Sequence, residues 1–158
     1  PVPKDRAPAL ADADIVVVNE LEAEQLLALK GLQPAKDDFA ALALALQEAY
    51  AVKAIVLTLG DKGYLFAEDG KIFHGAAKAV PAGEIVDTSG AGDGFLAALA
   101  YKLVLGENLS EACRWANTYA GLTVRFSGTI PGYLPLEQVE KQLKEPAETG
   151  EGLVFKGN

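Results

Sequence analysis

Two short apolar runs, both rich in β-branched residues, constrain the fold most strongly. ADADIVVVN, residues 11–19, ends at the polar Asn19, and AIVLTLG, residues 54–60, ends at a glycine. Runs of this kind are typical of strands that are buried in a sheet. Between them lie two segments with helical composition and spacing, ELEAEQLLAL (20–29) and KDDFAALALALQEAY (36–50). This order predicts an α/β fold in which helices flank a mainly parallel sheet.

A hairpin and a glycine-rich segment follow the second strand. GYLFAEDGKIFHG, residues 63–75, predicts a β-hairpin that turns near Asp69 and Gly70. EIVDT, residues 84–88, predicts a short strand. It leads into a helix expected over residues 91–105, whose nearly all-apolar composition predicts burial on all sides.

The last third of the chain is predicted to be mainly helical. Ser110 is expected to cap a helix over residues 110–126. A polar helix is expected at 136–145, and a short strand at 153–155 in a weakly specified tail. No internal repeat or linker interrupts the sequence, which predicts one domain over residues 1–158.

Composition argues against several classes of function. The chain has a net charge of −8 and a pI of about 4.6, which disfavours nucleic acid and anionic membranes as partners. Cys113 is the only cysteine, so an internal disulfide framework is excluded and the cytoplasm is favoured. The sequence shows no signal-peptide pattern and no apolar run long enough to span a membrane. We therefore expect a soluble cytoplasmic protein.

The segment DTSGAGDGF, residues 87–95, carries the strongest functional signal. A helix N-terminus leaves backbone N–H groups unpaired and carries partial positive charge, so it attracts anions. Gly90 and Gly92 let the backbone approach a phosphate closely, and these amides could stabilise a phosphoryl group in transfer. Asp93 fits a base that accepts the proton of an attacking hydroxyl. Asp87, at the end of its expected strand, fits a cation ligand or a residue that orients the loop.

A purely structural interpretation of this segment is also open. Ser89 or Asp93 could simply cap the helix, while the glycines form a tight turn. The apolar helix that follows favours the functional interpretation, because its burial would leave the polar N-terminus facing an enclosed crevice.

Other polar residues allow the same two interpretations. Asn19 and Glu22 lie where a strand meets a helix, so capping and the helix dipole alone account for them. Thr58 and Gly60 fit an ordinary turn between a strand and a hairpin. Lys62 could reach a phosphate, although an exposed lysine beside a turn is usually just solvated.

Three motifs together resemble those of the ribokinase-like, PfkB-type carbohydrate and nucleoside kinases. DTSGAGDGF is similar to the family's C-terminal signature, VVVNELEAEQL (16–26) to its N-x-x-E segment, and TLGDKG (58–63) to its T-x-G-x-x-G nucleotide loop. The motifs occur in the family's order, and the resemblance extends to about residue 143. It implies a ribokinase-like fold and a kinase that uses ATP and Mg²⁺ to phosphorylate a sugar, a nucleoside or a related alcohol.

The resemblance also implies roles for individual residues. Asp93 matches the catalytic base, and Gly90, Ala91 and Gly92 match the anion hole. Positions that match nucleotide-binding residues of the family are Asn19, Thr58, Gly60, Gly63 and Asn117. Positions that match residues organising Mg²⁺ or binding a monovalent cation, usually K⁺, are Glu22, Asp87 and Ser89. Backbone carbonyls around residues 124–128 would complete the monovalent-cation site.

Kinases of this family are considerably longer than this chain. The resemblance implies that an N-terminal half, with the acceptor-binding residues and a β-lid, is absent from the sequence. We therefore expect the C-terminal, nucleotide-binding part of a longer kinase, inactive when isolated. One subunit of a split kinase, or a regulatory module that binds nucleotide without catalysis, is the alternative. A sheet cut at its middle exposes a strand edge and apolar helix faces, which predicts a homodimer or higher assembly.

Overall fold

The computed structural model of the chain describes residues 10, 12–33 and 37–144. The described residues divide into two compact units, one ending at Gly75 and the other beginning at Ala76. The first unit contains a sheet with helices, and the second is helical. The expectation of one domain over residues 1–158 stays a prediction.

The first unit is built on a mixed sheet with the strand order β1–β2–β3–β4. Its strands are β1 (Ile15–Asn19), β2 (Ala54–Thr58), β3 (Tyr64–Glu68) and β4 (Lys71–Gly75). β1 and β2 are parallel, whereas β3 pairs antiparallel with both β2 and β4. The two predicted strands and the hairpin are therefore confirmed. The expected burial holds for β2, whereas in β1 Val16 is buried and the other residues are half-buried or exposed. The hairpin supplies the antiparallel pairings that make the sheet mixed.

The turn of the hairpin has the backbone that its sequence predicts. Asp69 and Gly70 both have positive φ, at 50° and 69°. Two consecutive left-handed residues favour Asp-Gly and match the right-handed twist of the flanking strands. Phe66 and Phe73 are cross-strand partners, and their rings stack with centroids 4.5 Å apart.

Two helices complete the first unit. α1 (Glu20–Leu29) has the predicted bounds and is followed by Gly31, whose φ of 72° suits the end of a helix. α2 (Phe39–Tyr50) begins later than the expected residue 36, because the Asp38 side chain caps it by accepting the Ala41 N–H at 2.9 Å. Apolar side chains of both helices pack with the sheet to form the core, among them Leu26, Leu27, Leu42, Leu46, Ile55 and Leu57.

The second unit contains four described helices. They are α3 (Ala91–Val104), α4 (Leu109–Thr123), α5 (Thr129–Gly132) and α6 (Leu136–Lys144). α3 and α4 pack against each other, burying Phe95 and Leu99 of α3 and Trp115 of α4. The long helices expected at 91–105, 110–126 and 136–145 are confirmed with shifted ends. The strand expected at 153–155 lies outside the described residues.

The strand predicted at residues 84–88 is wrong. Residues Ala82–Glu84 form a 3-10 turn, and residues 85–88 have no regular structure. The backbone N–H groups of Val86 and Asp87 both donate to the carbonyl of Val124, at 2.8 and 3.1 Å. This segment therefore pairs with the end of α4 rather than with a strand.

Two further expectations about the helices are wrong. α3 is not buried on all sides, because Leu96 is 49% exposed and Val104 85% exposed. Within the described residues, α3 is covered mainly on the face toward α4. The cap of α4 is Asn108, whose Oδ1 accepts the Glu111 N–H at 2.9 Å, and Ser110 lies inside the helix. No described helix is long and apolar enough to cross a bilayer.

Candidate active site

Asn19 and Thr58 lie side by side at the carboxyl ends of the two parallel strands. They are register partners, and each is the last residue of its strand. Asn19 is exposed and Thr58 is half-buried. Ligands of α/β sheets usually bind beyond the carboxyl ends of parallel strands. The sheet therefore places two of the predicted nucleotide-binding side chains where a ligand of the first unit would bind.

Asn19 and Glu22 form a capping box at the start of α1. Asn19 Oδ1 accepts the Glu22 N–H at 2.9 Å, and Glu22 Oε2 accepts the Asn19 N–H at 3.0 Å. Two otherwise unpaired amides are satisfied in this way. The capping role of both residues is thus confirmed. It leaves Asn19 Nδ2 and Glu22 Oε1 for other partners.

The loop after β2 is a tight turn that depends on its two glycines. Gly60 has φ 59°, and Gly63 has φ 96° and ψ −125°, a conformation that side-chain-bearing residues avoid. The Leu59 N–H donates to the Gly63 carbonyl at 2.8 Å, and the Gly63 N–H donates to the Gly60 carbonyl at 3.1 Å. A Cβ at Gly60 would meet nothing within 4 Å. The backbone at Gly60 is therefore open to approach.

The N-terminus of α3 has no side-chain cap. Gly90 is the N-cap residue with φ 80°, and no side chain of the described residues caps the helix. The Ala91 N–H donates to the backbone carbonyl of Thr88 at 3.3 Å. The interpretation of Ser89 or Asp93 as a simple helix cap is thus not what the described residues show. Gly92 and Asp93 lie in the first turn, and both are exposed. The described residues therefore leave this N-terminus without a side-chain cap, and its role as an anion hole with Asp93 as a base stays a prediction.

Gly90 and Gly92 differ in the space around them. A Cβ at Gly90 would lie 2.5 Å from Cγ2 of Thr129, and the positive φ adds strain. A Cβ at Gly92 would meet nothing within 4 Å. Gly90 is therefore required by the fold, whereas the protein's own packing gives no reason for a glycine at residue 92.

Asp87 ties the glycine loop to the segment after α4. Its Oδ1 accepts the Ser89 N–H and its Oδ2 accepts the Gly128 N–H, both at 2.9 Å. The hydrogen bonds from Ser89, and then that from Gly128, lower the pKa of Asp87 below its ordinary value, because they favour the ionised form. The structure thus gives Asp87 a loop-orienting role. A role of Asp87 and Ser89 in holding a cation stays a prediction.

Asn117 contacts the backbone that follows the hairpin. Its Nδ2 donates to the carbonyl of Ala76 at 2.8 Å. One turn later on α4, a Cβ at Gly121 would lie 2.7 Å from Cβ of Lys78, so the chain passes close to the helix there. The structure therefore accounts for Asn117 as an anchor of this segment, and its predicted position near the adenine stays a prediction.

The described residues contain no group of three or more His, Cys, Asp or Glu side chains that could hold a metal ion. Mg²⁺ usually takes one or two protein carboxylates and completes its shell with water and phosphate oxygens. Glu22 Oε1 is one such carboxylate oxygen. Asp87 stays ionised because of its two N–H donors, and it fits a monovalent cation held largely by backbone carbonyls.

Sequence reasoning missed Thr129, and it named Gly128 only within the carbonyl segment 124–128 of the expected cation site, not as a residue that shapes the loop. Gly128 has φ 81° and donates to Asp87, and Thr129 lies against Gly90. The motif S-G-T at 127–129 contains a glycine between two hydroxyl residues, which is a turn signal. The local sequence pattern does not indicate that Gly128 contacts Asp87, which lies some 40 positions earlier.

Comparison with known proteins agrees with this geometry. Residues 3–136 match the pfkB family carbohydrate kinase domain. The chain belongs to the PfkB family. It is 34% identical over 145 residues to ribokinase of Arabidopsis thaliana and 36% identical over 143 residues to fructokinase-1 of Zea mays. These matches cover 91% and 85% of the chain.

Solved PfkB-family structures share the fold. The structure of Arabidopsis thaliana ribokinase complexed with ribose and ATP matches with a TM-score of 0.75 and 32% identity over 92% of the chain. A putative ribokinase II from E. coli, in complex with ATP and Mg²⁺, matches with a TM-score of 0.71 and 26% identity over 89% of the chain. The predicted α/β, ribokinase-like fold is therefore confirmed.

The chain spans only part of these relatives. It covers 36% of the Arabidopsis ribokinase and 41% of the maize fructokinase sequences. It covers 45% and 42% of the two solved chains.

Proposed function

We propose that this chain is the nucleotide-binding and catalytic part of a kinase that transfers the γ-phosphoryl group of ATP to an alcohol of a sugar or related acceptor. The observation that carries the proposal is the N-terminus of α3, which no side chain of the described residues caps and whose first turn contains Asp93. Phosphoryl transfer needs positioning and charge stabilisation more than covalent help, and this site offers both.

The amides of Gly90, Ala91 and Gly92 form the anion hole. Their N–H groups lie at the positive end of the α3 dipole, which favours the negative charge of the transferring phosphoryl group. The open space beside Gly92 supports this role, because a phosphate oxygen can approach the backbone there. The left-handed Gly90 and the Asp87 hydrogen bonds hold the loop in this shape before any ligand arrives.

Asp93 accepts the proton of the acceptor hydroxyl. Its carboxylate is exposed in the first turn of α3, next to the open amides. Deprotonation of the hydroxyl makes the oxygen a better nucleophile as it attacks the γ-phosphorus. The bond between the γ-phosphorus and the β–γ bridging oxygen breaks, and ADP leaves with that oxygen. The released proton stays on the carboxylate until the phosphorylated product leaves.

Residues of the first unit bind the nucleotide in this proposal. Thr58, Gly60 and Gly63 form the turn against which the phosphates and ribose lie, and Asn19 contributes its free Nδ2. The family resemblance assigns Asn117 to the adenine. The E. coli and Arabidopsis relatives were solved with ATP, which supports ATP as the phosphoryl donor.

Cations complete the proposed site. Mg²⁺, when bound, neutralises charge on the phosphates, and Glu22 helps to hold it, largely through water. Asp87 and Ser89, with carbonyls around residues 124–128, hold a monovalent cation such as K⁺. The ionised state of Asp87 supports this assignment.

The remaining part of the kinase is expected to cover apolar surface that is open here. β1 has one neighbour among the described strands, and Leu96 and Val104 of α3 are exposed. The second unit, taken by itself, also has an apolar hollow of about 220 Å³; its lining residues are Ala97, Ala98, Tyr101, Trp115, Tyr119 and Leu134. We propose that the acceptor-binding half packs here, and that the isolated chain self-associates instead. A monomer in light scattering at high concentration contradicts the self-association.

One substitution separates the kinase from a non-catalytic nucleotide-binding module. Asp93→Asn in the full-length kinase should lower turnover by about 10²- to 10⁴-fold, the usual contribution of a general base, while ATP affinity stays near that of the wild type. Asp69→Asn is the matched control, because asparagine tolerates the left-handed backbone of the hairpin turn. Turnover of Asp93→Asn at the rate of the control contradicts the proposal.

The same assay addresses the split-kinase alternative. If this chain is one subunit of a split enzyme, turnover appears only when a separate acceptor-binding chain is added. Binding of ATP without turnover in either arrangement favours the regulatory module.

A further inference from the structure

Two exposed ion pairs lie at opposite ends of the parallel strands β1 and β2. Asp14 and Lys53 each directly precede a strand and pair at the amino ends. Glu20 directly follows β1, Lys62 lies in the loop after β2, and their Oε1 and Nζ atoms are 3.4 Å apart. The second pair is therefore at the carboxyl ends of the strands, where ligands of such sheets bind.

The ammonium group of Lys62 makes two weak, exposed contacts. Its Nζ lies 4.7 Å from the centroid of the Phe39 ring, in addition to its contact with Glu20. The side chain of Lys62 is 57% exposed and that of Glu20 is 41% exposed. Ion pairs at such exposure are weak, because water and salt screen them. The ammonium group can therefore exchange the Glu20 carboxylate for a stronger anionic partner.

We propose that Lys62 binds the polyphosphate of the nucleotide, and that Glu20 competes for Lys62 when no nucleotide is present. The inference rests on the proposed function, which assigns the turn at Gly60 and Gly63 to the nucleotide phosphates. Lys62 belongs to that turn, and its backbone N–H donates to the Leu59 carbonyl at 3.1 Å. The turn thus fixes the base of the side chain, while the ammonium group stays free to move.

Electrostatics favour this exchange. The chain has a net charge of −8, so its overall field opposes an incoming nucleotide and a local cation has to offset it. A polyphosphate offers several negative oxygens to one ammonium group, whereas Glu20 offers one carboxylate. Release from Glu20 also leaves that carboxylate unpaired near the phosphates. In this proposal, the contact of Lys62 with the phosphates increases the affinity for ATP, and competition by Glu20 decreases it.

The first test compares Lys62→Gln with Lys53→Gln, which removes the lysine of the pair at the opposite end. Binding of ATP and of adenosine to the chain is measured by calorimetry in the presence of Mg²⁺ over a range of salt concentrations. Lys62→Gln should weaken ATP binding by about three- to tenfold, as expected for one exposed charged contact, and should reduce the salt dependence of ATP binding. Lys62→Gln should bind adenosine with the affinity of the wild type. Lys53→Gln should bind both ATP and adenosine with wild-type affinity.

The second test uses a substitution that should increase the affinity for ATP. Glu20→Gln releases Lys62 and removes a negative charge, so it should tighten ATP binding by about two- to fivefold. Asp14→Asn, which releases Lys53 at the other end, should leave ATP binding unchanged. A substitution that merely disturbs the fold does not increase affinity, so the gain separates competition from damage.

The outcomes distinguish this inference from the proposed function. If the wild-type chain binds no ATP, the proposed function fails and the role of Lys62 fails with it. If the wild type binds ATP and Lys62→Gln binds it equally well, or loses adenosine affinity to the same extent, only the role of Lys62 is overturned. Unchanged or weaker ATP binding by Glu20→Gln overturns the competition.

Discussion

Asp87 accepts a hydrogen bond from the backbone N–H of Gly128, which lies 41 positions later in the sequence, at 2.9 Å. The other carboxylate oxygen accepts the Ser89 N–H, so one side chain fixes both the glycine loop and the segment after α4. Because Gly90, the N-cap residue of α3, lies three residues after Asp87, the position of the proposed anion hole depends on this carboxylate.

Asp87 should make the stability of the chain depend on pH in acid. Its hydrogen bonds lower the pKa in the folded state, so the stabilisation is fully present above the unfolded-state pKa of about 4 and is lost as the pH falls through the folded-state pKa. Asp87→Asn should lower the free energy of unfolding at pH 6, and the difference from the wild type should shrink as the pH falls toward 2. Urea denaturation across this range measures the difference.

Asp61→Asn provides the control for that series. Asp61 is exposed, and no backbone N–H of the described residues donates to its side chain. The variant should follow the wild-type profile. A constant difference between Asp87→Asn and the wild type at all pH values contradicts the assigned cause.

Gly90→Ala should lower the stability of the fold, whereas Gly92→Ala should lower the activity and leave the stability nearly unchanged. Alanine at residue 90 combines a left-handed backbone with a contact of 2.5 Å to Thr129, so it should destabilise the fold by about 1–3 kcal/mol. Alanine at residue 92 meets open space, so it should leave stability within about 1 kcal/mol of the wild type. The methyl group nevertheless occupies the space proposed for phosphate. Thermal unfolding measures the stability of both variants, and turnover of the full-length kinase measures their activity. Full activity of Gly92→Ala argues against the anion hole.

Glu22→Gln should separate helix capping from cation binding. Glutamine can accept the Asn19 N–H as glutamate does, so the capping box survives and stability should change by less than about 0.5 kcal/mol. The charge is lost, so Mg²⁺-dependent ATP binding should weaken. Glu22→Ala removes both contributions and should also cost about 1 kcal/mol of stability. Equal ATP binding by Glu22→Gln and the wild type, over a Mg²⁺ titration, leaves only the capping role.

Asn108→Ala should destabilise α4, whereas Ser110→Ala should not. Asn108 Oδ1 accepts the Glu111 N–H, and removal of such a cap costs about 1 kcal/mol. Ser110 is exposed within the first turn, so its loss should change stability by less than about 0.5 kcal/mol. Chemical denaturation of both variants measures the difference. The reverse ranking would favour the cap that the sequence pattern suggested.

Local signals predicted the first unit well. The bounds of α1 follow from Asn19 before it and Gly31 after it, and both signals act within one turn of the helix. The hairpin followed from Asp69 and Gly70, whose left-handed conformations few other pairs adopt. Elements whose ends are set by neighbouring residues can be read from sequence.

Predictions failed where distant partners decide the structure. Residues 84–88 have the β-branched composition of a strand, but the N–H groups of Val86 and Asp87 donate to the carbonyl of Val124, almost 40 positions away. The composition of α3 predicted full burial, yet Leu96 and Val104 remain exposed in the part of the chain described. The motif predicted functional roles for Gly90 and Asp93, whereas the close approach of Thr129 to Gly90 could be found only in the structure.

The junction of β1 and α1 has a consequence for ligand binding. β1 ends at Asn19 and α1 begins at Glu20, so no spare residue remains there to act as a hinge. The strand is clamped by its register with β2, and the helix by its reciprocal capping bonds. A ligand that contacts this junction therefore binds to backbone that is already ordered in the folded protein. Association should then lose little entropy at this point, and any induced closure has to come from other parts of the protein.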